Sequence, residues 1–323
     1  MKRYVLYIVA ALAFVVTGAS AVWVYEGQWG SEGTGSGQFM GPIGVAVAAT
    51  GNVYVADSIN DRIQYFTPTG SYLDRWGSLG SNNGQFRHPN GVALAPNGNV
   101  YVLDTDNERV QFFTASGSFL GKWGSQGSGD GQFDSSFGIA IAPNGNVYVG
   151  DTDNDRVQYF TASGSFLGKW GTYGSGNGQF NSSMGVAVAP SGARVYVGDC
   201  FNFRVQYFTA SGSFLGTWGS QGSGDGQFNH PYGVATAPNA NVFVADIHNN
   251  RIQYFTPDGS FLGKWGTRGS GNGEFYYPEG VAVSPTGARA YVTDNMNNRV
   301  QYFRESEPAV VPSSVGRIKA LFR

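Results

Sequence analysis

Residues 138–160 read GIAIAPNGNVYVGDTDNDRVQYF, and this stretch decides the fold. Gly138-Ile139-Ala140-Ile141-Ala142 is short and apolar, which fits a buried inner strand. Pro143-Asn144-Gly145-Asn146 follows, and Asn-Gly tolerates the positive φ that a tight hairpin demands. Val147-Tyr148-Val149 reads as a second strand and Arg156 to Thr161 as a third. Ser163-Gly164 turns the chain again, and Phe166 to Trp170 reads as an outer strand. The glycine-rich run Gly171 to Gly178 then leads into another copy of the same text. Four short strands per unit, with no 3.6-residue periodicity, describe a propeller blade.

The unit returns six times. An Asp recurs at Asp57, Asp104, Asp151, Asp199, Asp246 and Asp294, with spacings of 47, 47, 48, 47 and 48 residues. Five residues after each stands an Arg: Arg62, Arg109, Arg156, Arg204, Arg251 and Arg299. Trp recurs at Trp29, Trp76, Trp123, Trp170, Trp218 and Trp265. A fixed period of this length points to a repeat architecture. In the two longer spacings the extra residue falls in the first hairpin (Pro190 to Arg194 and Pro285 to Arg289), where an insertion leaves the strands unchanged. The sixth copy stops after its third strand, near Phe303, and Val22 to Trp29 matches the missing outer strand in register. The N-terminal strand is therefore predicted to pair with Val300 to Phe303, closing the ring and removing open sheet edges. The expected fold is an all-β, six-bladed β-propeller of four-stranded blades over residues 22–303.

The recurring text, Gly-x-Gly-Gln-Phe and then Gly-Val-Ala-Val-Ala-Pro-x-Gly-Asn-Val-Tyr-Val-x-Asp-x-x-Asn-x-Arg-Val-Gln-x-Phe, resembles the NHL repeat. The resemblance spans nearly all of residues 22–303. It implies a propeller and leaves function open, because NHL propellers include receptor-kinase sensor domains, RNA-binding and protein-binding modules, and a few lyases. The amidating lyases of the family place a His just before the inner-strand Gly and another within the Asp-to-Arg turn. Here the first position holds Ile43, Asn90, Phe137, Met184, Tyr232 and Glu279, and the turns hold no His except His248, which is out of register. The resemblance therefore does not carry the lyase chemistry to this chain.

Outside the repeat, Lys2 and Arg3 precede an apolar run, Tyr4 to Val16, that is too short to span a membrane, and Ala19-Ser20-Ala21 reads as a cleavage site. Residues 1–21 are expected to be a signal peptide, and the protein to be exported: periplasmic, cell-surface or extracellular. No other stretch suits a transmembrane helix. Residues 304–323 form a Pro-containing linker and a short basic tail, with Val315, Ile318 and Phe322 on one side. The 49 glycines, 15% aromatic and 13% charged residues exclude a disordered chain. Residues 22–303 hold 14 basic and 20 acidic side chains. That balance argues against nucleic acid, whose phosphates call for clustered Lys and Arg. The single cysteine, Cys200, permits no internal disulfide. A monomer is expected.

Three sets of residues suggest chemistry. The Asp and Arg of each copy, with Asn three residues after the Asp, read as structural, since six copies are not one active site. Asp104 with Asp106, and Asp151 with Asp153, resemble the start of a calcium loop, but Arg109 and Arg156 stand where that loop needs Gly. His88, His230 and His248 would need to converge to hold zinc. No cofactor is expected, with calcium or zinc the alternatives.

The most informative positions are those where the copies differ. They lie just before the inner Gly and inside the Asp-to-Arg turn, and both sets are expected on one face around the central channel. Blade 2 offers Arg87, His88 and Asn90, and blade 3 offers Phe137. Blade 4 offers Met184, Phe201 and Phe203. Blade 5 offers His230, Tyr232 and His248, and blade 6 offers Tyr276, Tyr277 and Glu279. Aromatics gathered on loops of a rigid scaffold mark a binding surface for a protein, peptide or glycan. Two rival readings remain: a metal-dependent lyase or hydrolase with Glu279, Asn90 or His88 in the channel, and a structural cell-envelope protein attached through its tail.

Overall fold

The computed structural model describes residues 22–306. Six four-stranded antiparallel sheets stand around a central axis. Blades 1 to 5 are contiguous in sequence and run Pro42–Trp76, Pro89–Trp123, Gly138–Trp170, Ser183–Trp218 and Pro231–Trp265. Blade 6 takes three strands from Pro278–Glu305 and its outer strand from Trp23–Trp29. That strand pairs antiparallel with Arg299–Glu305, Trp29 opposite Val300 and Tyr25 opposite Phe303, with one irregularity between Tyr25 and Gly27. The ring closes as the repeat arithmetic predicts. The signal-peptide residues 1–21 and the tail from residue 307 onward lie outside the described residues. Among the described residues no helix is long and apolar enough to cross a membrane.

The second strand of each blade, such as Val147–Asp151, is buried along its whole length. The outer strand, such as Phe166–Trp170, alternates half-buried and exposed. This gradient follows from the radial packing of blades, each sheet covered on both faces near the axis. Six apolar clusters form, each shared by two neighbouring blades. In blade 3 the cluster joins Val147, Val149 and Phe160 to Tyr101 and Val110 of blade 2.

Two glycines show why the repeat keeps them. At Gly138 a Cβ would collide with the Met184 carbonyl oxygen of the next inner strand, so the inner strands approach this closely only without a side chain. Gly164, at φ +91°, turns the chain beneath the Trp123 ring of the preceding blade, which leaves no room for a Cβ.

Chain direction fixes the two faces. The Asp-to-Arg turns and the loops linking one blade to the next emerge together on one face, here the loop face. The two hairpins of each blade emerge on the other, where Val22 and Ser306 also lie, joined by the Ser306 amide donating to the Val22 carbonyl at 2.8 Å.

Candidate functional site

The loop face is built on a repeated polar latch. In blade 1, Arg62 Nε donates to Asp57 Oδ2 at 2.6 Å, with Gln64 and Asn60 side-chain amides donating to the same carboxylate. Asp57 Oδ1 accepts from the Met40 backbone N–H at 2.8 Å. The Arg62 guanidinium then donates to the carbonyls of Thr34, Gly35 and Gln38 in the loop arriving from blade 6. The Asp is fully buried in all six copies. Burial pushes its carboxyl upward in five of them, and the amide, Asn and Arg donors pull it back. The latch does more than shape a turn: it pins each inter-blade loop to the blade it enters.

A second latch joins the residue just before the Arg to the next blade's loop. The His88 N–H donates to Asp61, the Ser135 N–H to Glu108, the Ser182 N–H to Asp155, the Tyr277 N–H to Asn250 and the Gly41 N–H to Asn298, at 2.7 to 3.1 Å. Blade 4 breaks the rule. Its residue is Phe203, which has no acceptor to offer the His230 N–H. Phe203 also keeps the left-handed backbone of that position, φ 55° and ψ 39°, a conformation that suits Asn or Asp and penalises a bulky aromatic.

The broken latch lies within a continuous arc of rings. The His230 ring meets Phe201 and Phe203 edge-on, each at 5.2 Å between centroids, and lies 4.3 Å from His248. His248 meets Tyr277 at 5.2 Å, Tyr277 meets Tyr276 at 5.1 Å, and the Arg268 guanidinium covers Tyr276 at 5.1 Å. Phe201 remains 49% exposed and Met296, in the blade 6 turn, 57%, so the arc faces solvent. Burial, and then the neighbouring His248, lower the pKa of His230. The arc spans blades 4 to 6. Blades 2 and 3 carry Asp106, Asp134 and Asp153 on the same face.

Inside the arc, the residues before the inner Gly ring the channel. Ile43, Asn90, Phe137, Tyr232 and Glu279 line a cavity of about 70 Å³, while Met184, at the equivalent place in blade 4, does not line it. Phe137 and Tyr232 meet edge-to-face at 5.7 Å. Asn90 is buried, its Oδ1 accepting from the Ser58 hydroxyl at 3.0 Å. Glu279 Oε2 is buried without a hydrogen-bond partner among the described residues. Burial pushes the Glu279 carboxyl up to about 8. The carboxyl still touches the channel, yet dense protein surrounds it, and the surroundings set its charge. Burial, then Glu279 and Cys200, raise Tyr232 well above the usual phenol range. Burial, then Asp199, pushes the Cys200 thiol up to about 12, which makes it inert at neutral pH.

The remaining candidates are dispersed. His88 pairs with Asp106 at 2.6 Å on the far side of the ring from His230 and His248. Arg87 is exposed beside it, and its N–H donates to Asp104. Asp104 and Asp151 are occupied by their latches, so neither opens toward Asp106 or Asp153 as a calcium loop would require. Among the described residues no three His, Cys, Asp or Glu side chains gather to hold a metal. A larger cavity, about 1000 Å³, lies on the hairpin face between Trp23, Pro238, Pro285 and Arg289. Its Arg289 is already held by Glu26 through two hydrogen bonds, and its walls are repeat hairpins, so the loop face is the better site.

The ring of six four-stranded blades defines the chain as a β-propeller. An NHL-repeat family model matches residues 39–66 and 86–113, so the six-bladed propeller carries NHL repeats. No curated protein matches its sequence. Among solved structures it is similar to a gluconolactonase from Xanthomonas campestris, at 13% identity over 90% of this chain and 99% of that one, TM-score 0.64. It is similar to virginiamycin B lyase from Staphylococcus aureus at 14% identity over 84% and 85%, TM-score 0.57. It is also similar to Kuenenia stuttgartiensis hydrazine synthase at 12% identity over 85% and 98%, TM-score 0.60. At such identities the likeness is one of fold, which leaves the chemistry open.

Proposed function

We propose that the protein is an exported, monomeric binding propeller that recognises a protein, peptide or glycan through the loop face of blades 4 to 6. The observation that carries this reading is Phe203. Five blades fasten the incoming loop with an acidic or amide side chain, and the remaining one gives up that bond for a ring in a strained backbone, which meets His230 and through it joins the arc. Stability given up at one copy of a repeat marks a site shaped by function. The test is a screen of the purified protein against peptide and glycan arrays, repeated with Phe201→Ser and Tyr277→Ser. The reading predicts ligands whose retention falls about tenfold or more in both variants, a loss of about 1.4 kcal/mol each. Ligands that ignore both variants would sink it.

Glu279 favours a second reading, a lyase or hydrolase working in the channel. A carboxyl near 8 carries a proton at neutral pH and suits general acid–base chemistry. Metal content by plasma mass spectrometry, with melting in excess chelator, separates a metal-dependent form of this reading from the first. A stoichiometric metal whose removal lowers the melting temperature supports the enzyme.

A further inference from the structure

We propose that the floor of the central channel is a receptor for a primary alkylammonium group, the head of a lysine side chain or of another amine-bearing ligand. The site is separate from the ring arc and does not depend on it. Every Asp of the repeat is buried among several donors, but Glu279 has one oxygen buried with none. A carboxyl in that condition lacks its counter-charge, and an unpaired buried polar atom is costly unless a partner arrives.

The walls specify the partner. Phe137 and Tyr232 present aromatic rings and Ile43 a branched aliphatic side chain, while no basic side chain lines the cavity among the described residues. Aromatic walls beside a carboxylate favour an organic cation through cation–π attraction and direct pairing. A metal ion would need further ligands, and among the described residues none gather here. The volume, about 70 Å³, admits an ammonium and the start of its alkyl chain but falls far below the roughly 300 Å³ of a drug-sized pocket. On the same face, Asp134 and Asp153 have no ion-pair partner among the described residues and attract a cation toward the channel.

An arriving ammonium ionises Glu279. The other titratable groups on the floor are Tyr232 and, beside it, Cys200. Burial holds both neutral, so the charge change falls on Glu279.

The test is calorimetric titration of the purified protein with propylammonium, using butan-1-ol as the neutral counterpart. Expected are saturable binding of the ammonium and none of the alcohol. Glu279→Gln should weaken binding tenfold or more, and Tyr232→Phe, which keeps the ring, should change it less than threefold. Affinity in the wild-type protein should rise about tenfold per pH unit from 6 to about 8 and then flatten, since the bound form needs the carboxylate. Absence of ammonium binding, equal binding of the alcohol, or a pH-independent affinity overturns the proposal. The pH series uses the unaltered protein, so it decides the matter even where a variant fails to fold.

Discussion

Asp151 and Asp106 are both paired acids in the Asp-to-Arg region, and their surroundings give them different weight. Asp151 is fully buried with Arg156, while Asp106 meets His88 at the surface, each side chain about half exposed. Removing one partner of a buried pair strands the other charge, at a cost of about 3–5 kcal/mol. Asp151→Ala should therefore lower the unfolding free energy by that amount, read as a lower denaturant midpoint at unchanged slope, while Asp106→Ala should stay within about 0.5 kcal/mol. Glu279 gives a prediction in pH. Its folded pKa, about 8, lies above the ordinary value of 4.5. The neutral group's contribution is fully present below 4.5 and is lost as pH rises toward 8, because the unfolded chain ionises first. Glu279→Gln removes that slope. Denaturation from pH 4.5 to 8.5 should show the variant gaining on the wild type by on the order of a few kcal/mol. A flat difference would show that the carboxyl ionises normally.

At the level of strands and loops, much of the design was legible in the sequence. The six Asp, Arg and Trp residues mark equivalent places, and the strand breaks fall where Asn-Gly and Ser-Gly turns stand. One substitution even records the ring closure. The second-strand Tyr of blades 1, 2, 3, 4 and 6 donates its hydroxyl to the last hairpin of the following blade, as Tyr148 does to Ala210. Blade 5 has Phe243 instead, because blade 6 has no such hairpin, and Trp23 of the closing strand packs edge-on against that ring at 5.4 Å. Removing residues 22–29 should expose the edge of the Arg299–Glu305 strand and abolish cooperative unfolding, with aggregates in size-exclusion chromatography. A cooperative monomer would contradict that role for the strand.

The second latch was harder to read. Asp61, Glu108, Asp155, Asn250 and Asn298 are visible in sequence as acceptors, but their partners lie in another blade, and only the fold brings them together. The same holds for Arg268 over Tyr276 and for Cys200 beside Tyr232, which sequence alone does not pair. Asn90, read in the sequence among the residues around the channel, lies in the channel wall, where its bond to Ser58 could not be read from the sequence. Phe203→Asp should restore the missing acceptor to the His230 N–H and relieve the left-handed backbone. A gain of about 1 kcal/mol in denaturation is expected. A loss would mean that the ring packing of Phe203 outweighs the bond it displaced.

Across the whole molecule, a nearly sixfold-repeated scaffold carries an uneven face. Blades 4 to 6 present Phe201, Phe203, His230, His248, Tyr277 and Tyr276, and blades 2 and 3 present acids. The channel floor between them holds one carboxyl without a partner. Repetition makes the departures informative, since each blade shows what its neighbours would need at the same place. The first and last described residues lie on the face opposite the arc. The measurement that tests this account most directly is titration of an array-captured ligand into wild-type protein and Phe203→Asp side by side. The substitution is expected to strengthen the fold, so lost binding is not lost folding. The account predicts affinity at least tenfold weaker in the variant, and unchanged affinity in a well-folded variant would contradict it.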